Sequence, residues 1–273
     1  MKRLAVLICA LIPLFAIHAK DPRIVSFSPA LTELVYRLDA GGMLAGRSNA
    51  CDEPEAVLRS VPVAGGYASP NIEKTASLAP DLIVSDMLWP PESEKVLRSL
   101  KTEVIVKRCD NLSDYRAWVL LLGEKLGRRR QAEEECARID AALKEFAASS
   151  PGRGSRVVWL LGVDPLIAAG GSSLPDAVIG LCGAENAASD REPYFRTSFE
   201  WLLKMDPDVI IVLHSGSRAP ERLARHSAWH TLKAVKNKRV ISDIPENTLL
   251  RPGPRLIGGI RTLRQVFSSF RKE

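Results

Sequence analysis

The chain has 273 residues, enough for one large domain or two modest ones, and its 46% apolar and 26% charged content is that of a folded globular protein. A formal charge of +6 is too mild to argue for a nucleic-acid partner. The single run of three basic residues, Arg128-Arg129-Arg130, reads as the solvated start of a helix.

At the N-terminus Lys2 and Arg3 precede an apolar run from Leu4 to Ile17, followed by Ala19 and the polar Lys20-Asp21-Pro22. A charged start, an apolar stretch too short to span a bilayer and a small residue at a cleavage position predict a signal peptide over residues 1–19. Its removal lowers the charge to +4. No later apolar run has membrane-spanning length, so an exported soluble chain is expected.

Strands and helices then alternate. Ile24–Phe27 is a short apolar strand. Ser28 is placed to cap a helix with Pro29 at its first position, and Leu31, Leu34, Val35 and Leu38 share one face. Gly41-Gly42 is the expected stop, and Leu44–Arg47 the next strand. Ser69-Pro70-Asn71 starts a helix carrying Glu73, and Leu82–Ser85 and Val104–Val106 are strands of the buried type. Such alternation predicts a parallel α/β sheet. From Arg128 to Ala148 the pattern changes. Ala132, Cys136, Ile139, Leu143 and Phe146 make one apolar stripe, with Asp140 and Lys144 as an i,i+4 pair on its flank. Beyond Ser149-Ser150-Pro151-Gly152 the alternation resumes. Strands are expected at Val157–Leu161, Val209–Leu213 and Val240–Ser242, and helices at Ser172–Cys182, from Thr197 or Ser198, and at Pro254–Phe270. The predicted organisation is an N-terminal α/β lobe over 20–127, a bridging helix over 128–150 and a C-terminal α/β lobe over 151–273.

The two lobes repeat one another. Tyr67, Glu73 and Pro80-Asp81-Leu82-Ile83-Val84 recur, at the same offsets, as Tyr194, Glu200 and Pro207-Asp208-Val209-Ile210-Ile211. Arg23-Ile24-Val25 and Arg156-Val157-Val158 open the two copies. Taken singly, each glutamate is explained by its helix, since a carboxylate in a first turn suits the helix dipole and Thr197-x-x-Glu200 fits a capping box. As a pair they put a matched acidic group on each lobe, which arginines of a pseudo-symmetric partner can read. Tyr67 and Tyr194 fall in the loops entering those helices, where they serve either core packing or a ligand crevice. Trp89, after the Leu82–Ser85 strand, and Arg251, in Arg251-Pro252-Gly253-Pro254, are further candidates for the crevice.

After the leader four cysteines remain, Cys51, Cys109, Cys136 and Cys182, which allow three complete pairings. Cys136 lies on the apolar stripe as a core thiol, while Cys51 and Cys109 each follow a strand of the first lobe and are a candidate pair. His214, His226 and His230 all lie in the second lobe. His226 and His230 have an i,i+4 spacing that suits a metal, but no carboxylate or cysteine converges with them, and an exposed helix face explains them. Phosphate-binding Gly-Lys loops, Gly-x-Ser-x-Gly and Cys-x-x-Cys are absent from the sequence, so no catalytic residues, cofactor or metal ligands are assigned, and an exported α/β hydrolase is the remote alternative.

Together these residues resemble the substrate-binding proteins of ABC importers whose lobes are joined by a helix, the class that takes up vitamin B12, iron siderophores and haem. The resemblance runs from 23 to 270. It includes Ile24–Glu33, Gly65–Val84, Cys182–Asn186, Trp229–Val240 and Arg251–Arg255. It implies two Rossmann-like lobes with parallel-rich sheets, a periplasmic monomer that is not an enzyme, and docking of Glu73 and Glu200 onto arginines of a permease dimer. It also implies a metal chelate in the cleft, with a corrinoid leading and a ferric siderophore or haem behind. Family members that bind vitamin B12 carry tryptophans where this chain has Tyr67 and Tyr194. They pair the equivalent of Cys182 with a cysteine of the last helix, and residues 254–270 here contain none. Haem-binding members use an axial tyrosine one position from Tyr67.

Overall fold

The computed structural model describes residues 21–213 and 218–270. The expected leader and His214 lie outside the described residues.

The first half is built from β1 (Ile24–Ser26), α1 (Pro29–Arg37), β2 (Leu44–Ser48), α2 (Glu55–Ser60), β3 (Val63–Gly65), α3 (Ile72–Ser77), β4 (Leu82–Ser85), α4 (Pro91–Arg98) and β5 (Glu103–Val106). All its strands are parallel, in the order β3-β2-β1-β4-β5. The chain leaves β1 toward one edge and returns to β4 on the other side, so the sheet has a switch point between them. Ser28 caps α1 through its hydroxyl, which accepts the Leu31 N–H at 3.3 Å, with Pro29 at the start as expected. The end of α1 differs from expectation. The helix stops at Arg37, and Asp39, at φ 55°, makes the left-handed turn before Gly41-Gly42 is reached. Aspartate tolerates that region because its short polar side chain bonds locally.

Helices α5 (Leu112–Lys125) and α6 (Arg129–Ala147) pack together and lead to the second half. There follow β6 (Arg156–Val163), β7 (Leu166–Ala169), α7 (Leu174–Leu181), β8 (Glu185–Asn186), β9 (Tyr194–Arg196), α8 (Phe199–Met205), β10 (Val209–Val212), α9 (Ala219–Ala224), α10 (Lys233–Lys236), β11 (Val240–Ile241) and α11 (Leu256–Ser269). The order is β11-β10-β6-β7-β9, with β8 beside the start of β6. Here the sheet is mixed, because β7 runs antiparallel to both β6 and β9. The elements α2, β3, α4, α5, β7, β8, β9, α9 and α10 go beyond those read from the sequence.

At 19 residues α6 is unbroken and spans about 28 Å. Its first half is held by the first lobe. Buried Glu135 accepts the Tyr115 hydroxyl of α5 at 2.8 Å and the Arg37 guanidinium of α1 at 3.0 Å. Its end is held by the second lobe, where the Arg264 guanidinium lies over the Phe146 ring, 5.0 Å from its centroid, and donates to the Ser149 carbonyl at 2.8 Å. Asp140 pairs with Arg116 of α5 rather than with Lys144, because α5 lies alongside.

Alternation along the strands sorts the core. Ile24, Leu82, Val84, Val157, Trp159, Val209 and Ile211 join one continuous apolar cluster with α1, α5, α6, α7 and α11. Val25 and Ile83 face a smaller cluster on the far side of the first sheet, and Val158, Leu160, Ile210 and Val212 a third beyond the second. Both lobes therefore share one core on the side of the bridging helix, so a rigid-body swing of one against the other would have to break packed contacts.

The repeat is physical. The Asp81 carboxylate accepts the Arg23 backbone N–H at 2.8 Å, and the Asp208 carboxylate accepts that of Arg156 at 2.8 Å. Each arginine then donates to a carbonyl at the end of the glutamate-bearing helix, Leu78 at 2.8 Å and Met205 at 3.1 Å. Ala79 and Asp206, at φ 44° and 38°, make the same left-handed exit before each Pro-Asp. The Arg and Pro-Asp parts of the repeat are thus scaffold.

Candidate functional site

A cleft of about 330 Å³ lies between the lobes. Every strand of the first sheet contributes to it from its C-terminal end: Pro29 and Ala30 after β1, Ala50 after β2, Tyr67 after β3, Asp86 after β4, and Cys109 and Asp110 after β5. The facing wall holds Leu174 at the start of α7, Tyr194 at the start of β9, and Leu250, Arg251 and Pro252 ahead of α11. Chain ends of parallel strands at a switch point are where α/β sheets bind ligands, because the loops there diverge and leave a crevice.

Tyr67 sits on a tight loop closed by the Gly66 N–H donating to the Ser69 carbonyl at 2.9 Å. Gly65, at φ 151°, is required there, since a Cβ would stand 2.4 Å from the Asn71 nitrogen. Burial, followed by the charge of neighbouring Asp86, pushes the Tyr67 phenol well above its ordinary value, so it is a neutral hydroxyl at any physiological pH. Tyr194 presents its ring from the other lobe and is 55% exposed. It is the first residue of an edge strand paired with Ala169, not part of a loop. Burial raises its phenol too.

Trp89 is not in the cleft. It is 5% exposed, packs edge-on against Phe27 at 5.1 Å and donates its indole N–H to the Tyr67 carbonyl at 3.0 Å. Pro90 and Pro91 follow directly and lead the chain into α4. Sequence position after a strand placed Trp89 near the site, but the side chain supports Tyr67 from behind.

Arg251 lines the cleft and is engaged in a bond network between the lobes. It donates to Asp52 at 2.5 Å and lies 3.8 Å from Glu33. Arg255 grips Glu33 through two bonds of 2.8 and 2.6 Å, and Asn247 donates to Asp52 at 3.0 Å. Burial raises the Glu33 carboxyl despite Arg255, whereas the bonds from Arg251 and Asn247 outweigh desolvation and lower Asp52.

Asp86 was not singled out from the sequence, although its place directly after β4 is the signal that would have found it. Burial raises its carboxyl above the ordinary value, with the Ser28 and Tyr67 hydroxyls partly offsetting the rise. One carboxylate oxygen, Oδ1, is buried with no hydrogen-bond partner.

Glu73 and Glu200 stand exposed in the first turns of α3 and α8. Neither is needed as the N-cap. Asn71 accepts the Lys74 N–H at 2.9 Å and Ser198 accepts the Trp201 N–H at 3.3 Å. Ser198, not Thr197, caps α8, and the Thr197 hydroxyl is buried without a partner. The Ser198 hydroxyl and a helix amide hold the Glu200 carboxyl below its ordinary value.

Cys51, Cys109, Cys136 and Cys182 are buried free thiols, so the candidate Cys51–Cys109 bridge is not formed. Cys51 lies against Ser48 and Thr32, while Cys109 faces the Pro252 carbonyl across the lobes. Burial pushes the Cys182 thiol up to about 12. His226 is not on a helix face with His230. It precedes the 3-10 turn Ser227–Thr231, and its ring stacks on Phe199 at 3.7 Å. Among the described residues no group of three or more metal-ligating side chains converges.

Comparison with known proteins agrees with this architecture. The sequence profile of the family described as periplasmic binding protein matches residues 24–246. A vitamin B12-binding protein of Vibrio cholerae is 30% identical over 254 residues, covering 87% of this chain and 86% of its own. YvrC, an ABC transporter substrate-binding lipoprotein of Bacillus subtilis, is 27% identical over 256 residues, covering 90% and 80%. Among solved structures, the periplasmic haem-binding protein RhuT of Roseiflexus superposes with a TM-score of 0.81 at 23% identity, covering 92% of this chain and 99% of that one. The vitamin B12-binding protein BtuF of Vibrio cholerae does so with 0.75 at 26%, covering 93% and 99%. The chain therefore belongs to the periplasmic binding protein family.

Proposed function

We propose that this protein captures a flat metal chelate, a corrinoid such as vitamin B12, between its lobes and delivers it to the permease of an ABC importer. The observation that carries the reading is a single cleft with one tyrosine on each wall, Tyr67 from the first lobe and Tyr194 from the second. Two aromatic faces grip a planar macrocycle from opposite sides at small entropic cost, because each ring has only two torsions to fix. The named vitamin B12-binding relatives support the choice of macrocycle. A volume of about 330 Å³ is at the low end for ligand sites, so a corrinoid would lie partly in the mouth of the cleft with its edge toward solvent. The shared core favours small lobe adjustments on binding over a wide swing. Exposed Glu73 and Glu200, one per lobe on equivalent helices, provide the two-point contact for a dimeric permease.

Haem is the second reading, favoured by a phenol, that of Tyr67, in the cleft wall. The same phenol is held neutral by burial and by Asp86, which makes it a weaker ligand for ferric iron than a phenolate. The deciding experiment mixes the purified protein with cyanocobalamin, hemin or a ferric siderophore, removes free ligand by desalting and records the visible spectrum. Retained cobalamin colour supports the corrinoid reading; retention of hemin or siderophore alone overturns it.

A further inference from the structure

The charges around the cleft are already spent on one another. Among the described lining residues there are two carboxylates, Asp86 and Asp110, and one guanidinium, Arg251. Arg251 is committed to Asp52 at 2.5 Å, and behind it Arg255 is committed to Glu33. Asp110 is held by Arg108 through bonds of 2.6 and 3.0 Å. The two helix N-termini that open onto the cleft are satisfied as well, α1 by Ser28 and α7 by Ser173. Asp86 is the exception. It lines the cleft with the Ser28 and Tyr67 hydroxyls and a backbone amide as its hydrogen-bonding neighbours, and Asp110 adds a like charge. No cation among the described residues is paired with it, and its Oδ1 atom is buried without a hydrogen-bond partner.

We infer that Asp86 is the specificity-determining residue of this cleft, selecting chelates whose edge offers neutral N–H or O–H donors and rejecting chelates edged with carboxylates or other anions. Asp86 lines the cleft as an acceptor, and a ligand amide or hydroxyl donating to its carboxylate makes a bond that an anionic edge cannot make. An anionic edge would instead meet a like charge in a poorly solvated wall and would have to pull Arg251 or Arg108 from an existing partner. This rests on the reading of the cleft as a chelate site, and it names the ligand's charge class whichever macrocycle is bound.

The test uses one corrin ring with two edges: dicyanocobinamide, which carries primary amides, and dicyanocobyrinic acid, which carries carboxylic acids. Equilibrium titrations at neutral pH on the purified protein should show the amide form bound at least about tenfold more tightly. Asp86→Asn, which keeps the shape and removes the charge, should weaken the amide form and bring the two affinities within about threefold. Equal affinities in the unsubstituted protein, or an unchanged ratio in the variant, would overturn the assignment of Asp86. If neither corrinoid binds, the corrinoid reading fails separately, and the charge rule is then read from a neutral ferric hydroxamate against an anionic ferric catecholate and hemin. Preference for either anionic chelate over the hydroxamate, or binding of none of them, would overturn the rule.

Discussion

The Trp89 indole N–H donates to the Tyr67 carbonyl at 3.0 Å, so one aromatic of the first lobe holds the other in place from behind. Two residues that look equivalent in the sequence are thereby separated: Trp89 packs in the core, and Tyr67 lines the cleft. Trp89→Phe should keep most of the apolar contact with Phe27 and lose the bond, costing about 1 kcal/mol of stability. Trp89→Ala should cost about 3–5 kcal/mol. Urea unfolding checks both, and the Phe variant should also bind cobalamin more weakly, because the Tyr67 loop loses its tether. Unaltered affinity in that variant would show that the loop is fixed without Trp89.

Ring removal at either wall should weaken the ligand. Tyr67→Ala and Tyr194→Ala are each expected to lose about 1–3 kcal/mol of binding free energy, whereas Tyr67→Phe should lose much less if the ring face makes the contact. Calorimetric titration distinguishes these outcomes. A loss in Tyr67→Phe as large as in Tyr67→Ala would assign the contact to the hydroxyl.

Docking and binding should separate. Glu73→Ala combined with Glu200→Ala should leave ligand affinity unchanged, since both side chains are exposed outside the cleft, and should abolish uptake in vesicles reconstituted with the cognate permease. Persistent uptake would remove the docking role.

The bridging helix should confer an acid-sensitive part of the stability. Burial acts to raise the Glu135 carboxyl, but bonds from Arg138, Tyr115 and Arg37 outweigh it and hold the folded value below the ordinary 4.5. A carboxyl depressed on folding stabilises fully above its unfolded value, and that stabilisation is lost as pH falls through the folded value. Glu135→Gln should therefore cost about 1–3 kcal/mol at pH 7 and progressively less below pH 4.5. Denaturant titrations of both proteins at pH 7, 4.5 and 3 measure the difference; a constant gap across that range would place the effect elsewhere.

Much of the architecture was legible because it is carried by local rules. Ser28-Pro29 marks a helix start by chemistry that depends only on neighbours, and the apolar stripe from Ala132 to Phe146 needs only a helical period. The antiparallel strand Leu166–Ala169 was hidden because four apolar residues after a turn carry no period of their own; its identity comes from the partners it bonds to in β6 and β9. Helix α5 has the Asn111 cap and an apolar face, both local signals, but its interior Gly123 weakens the helical pattern beside the longer α6.

By itself the sequence determined the duplication, the main alternation of strands and helices and the residue types available at the ends of those strands, since spacing and propensity are properties of the chain. Tertiary structure decided what each of those residues does. The Arg and Pro-Asp members of the repeat closed on one another as scaffold, Trp89 turned into the core, and Arg251 was claimed by Asp52. Asp86 was left lining the cleft with no cation among the described residues paired to it. Those outcomes depend on which partner stands within about 3 Å after folding, a distance that no local pattern encodes.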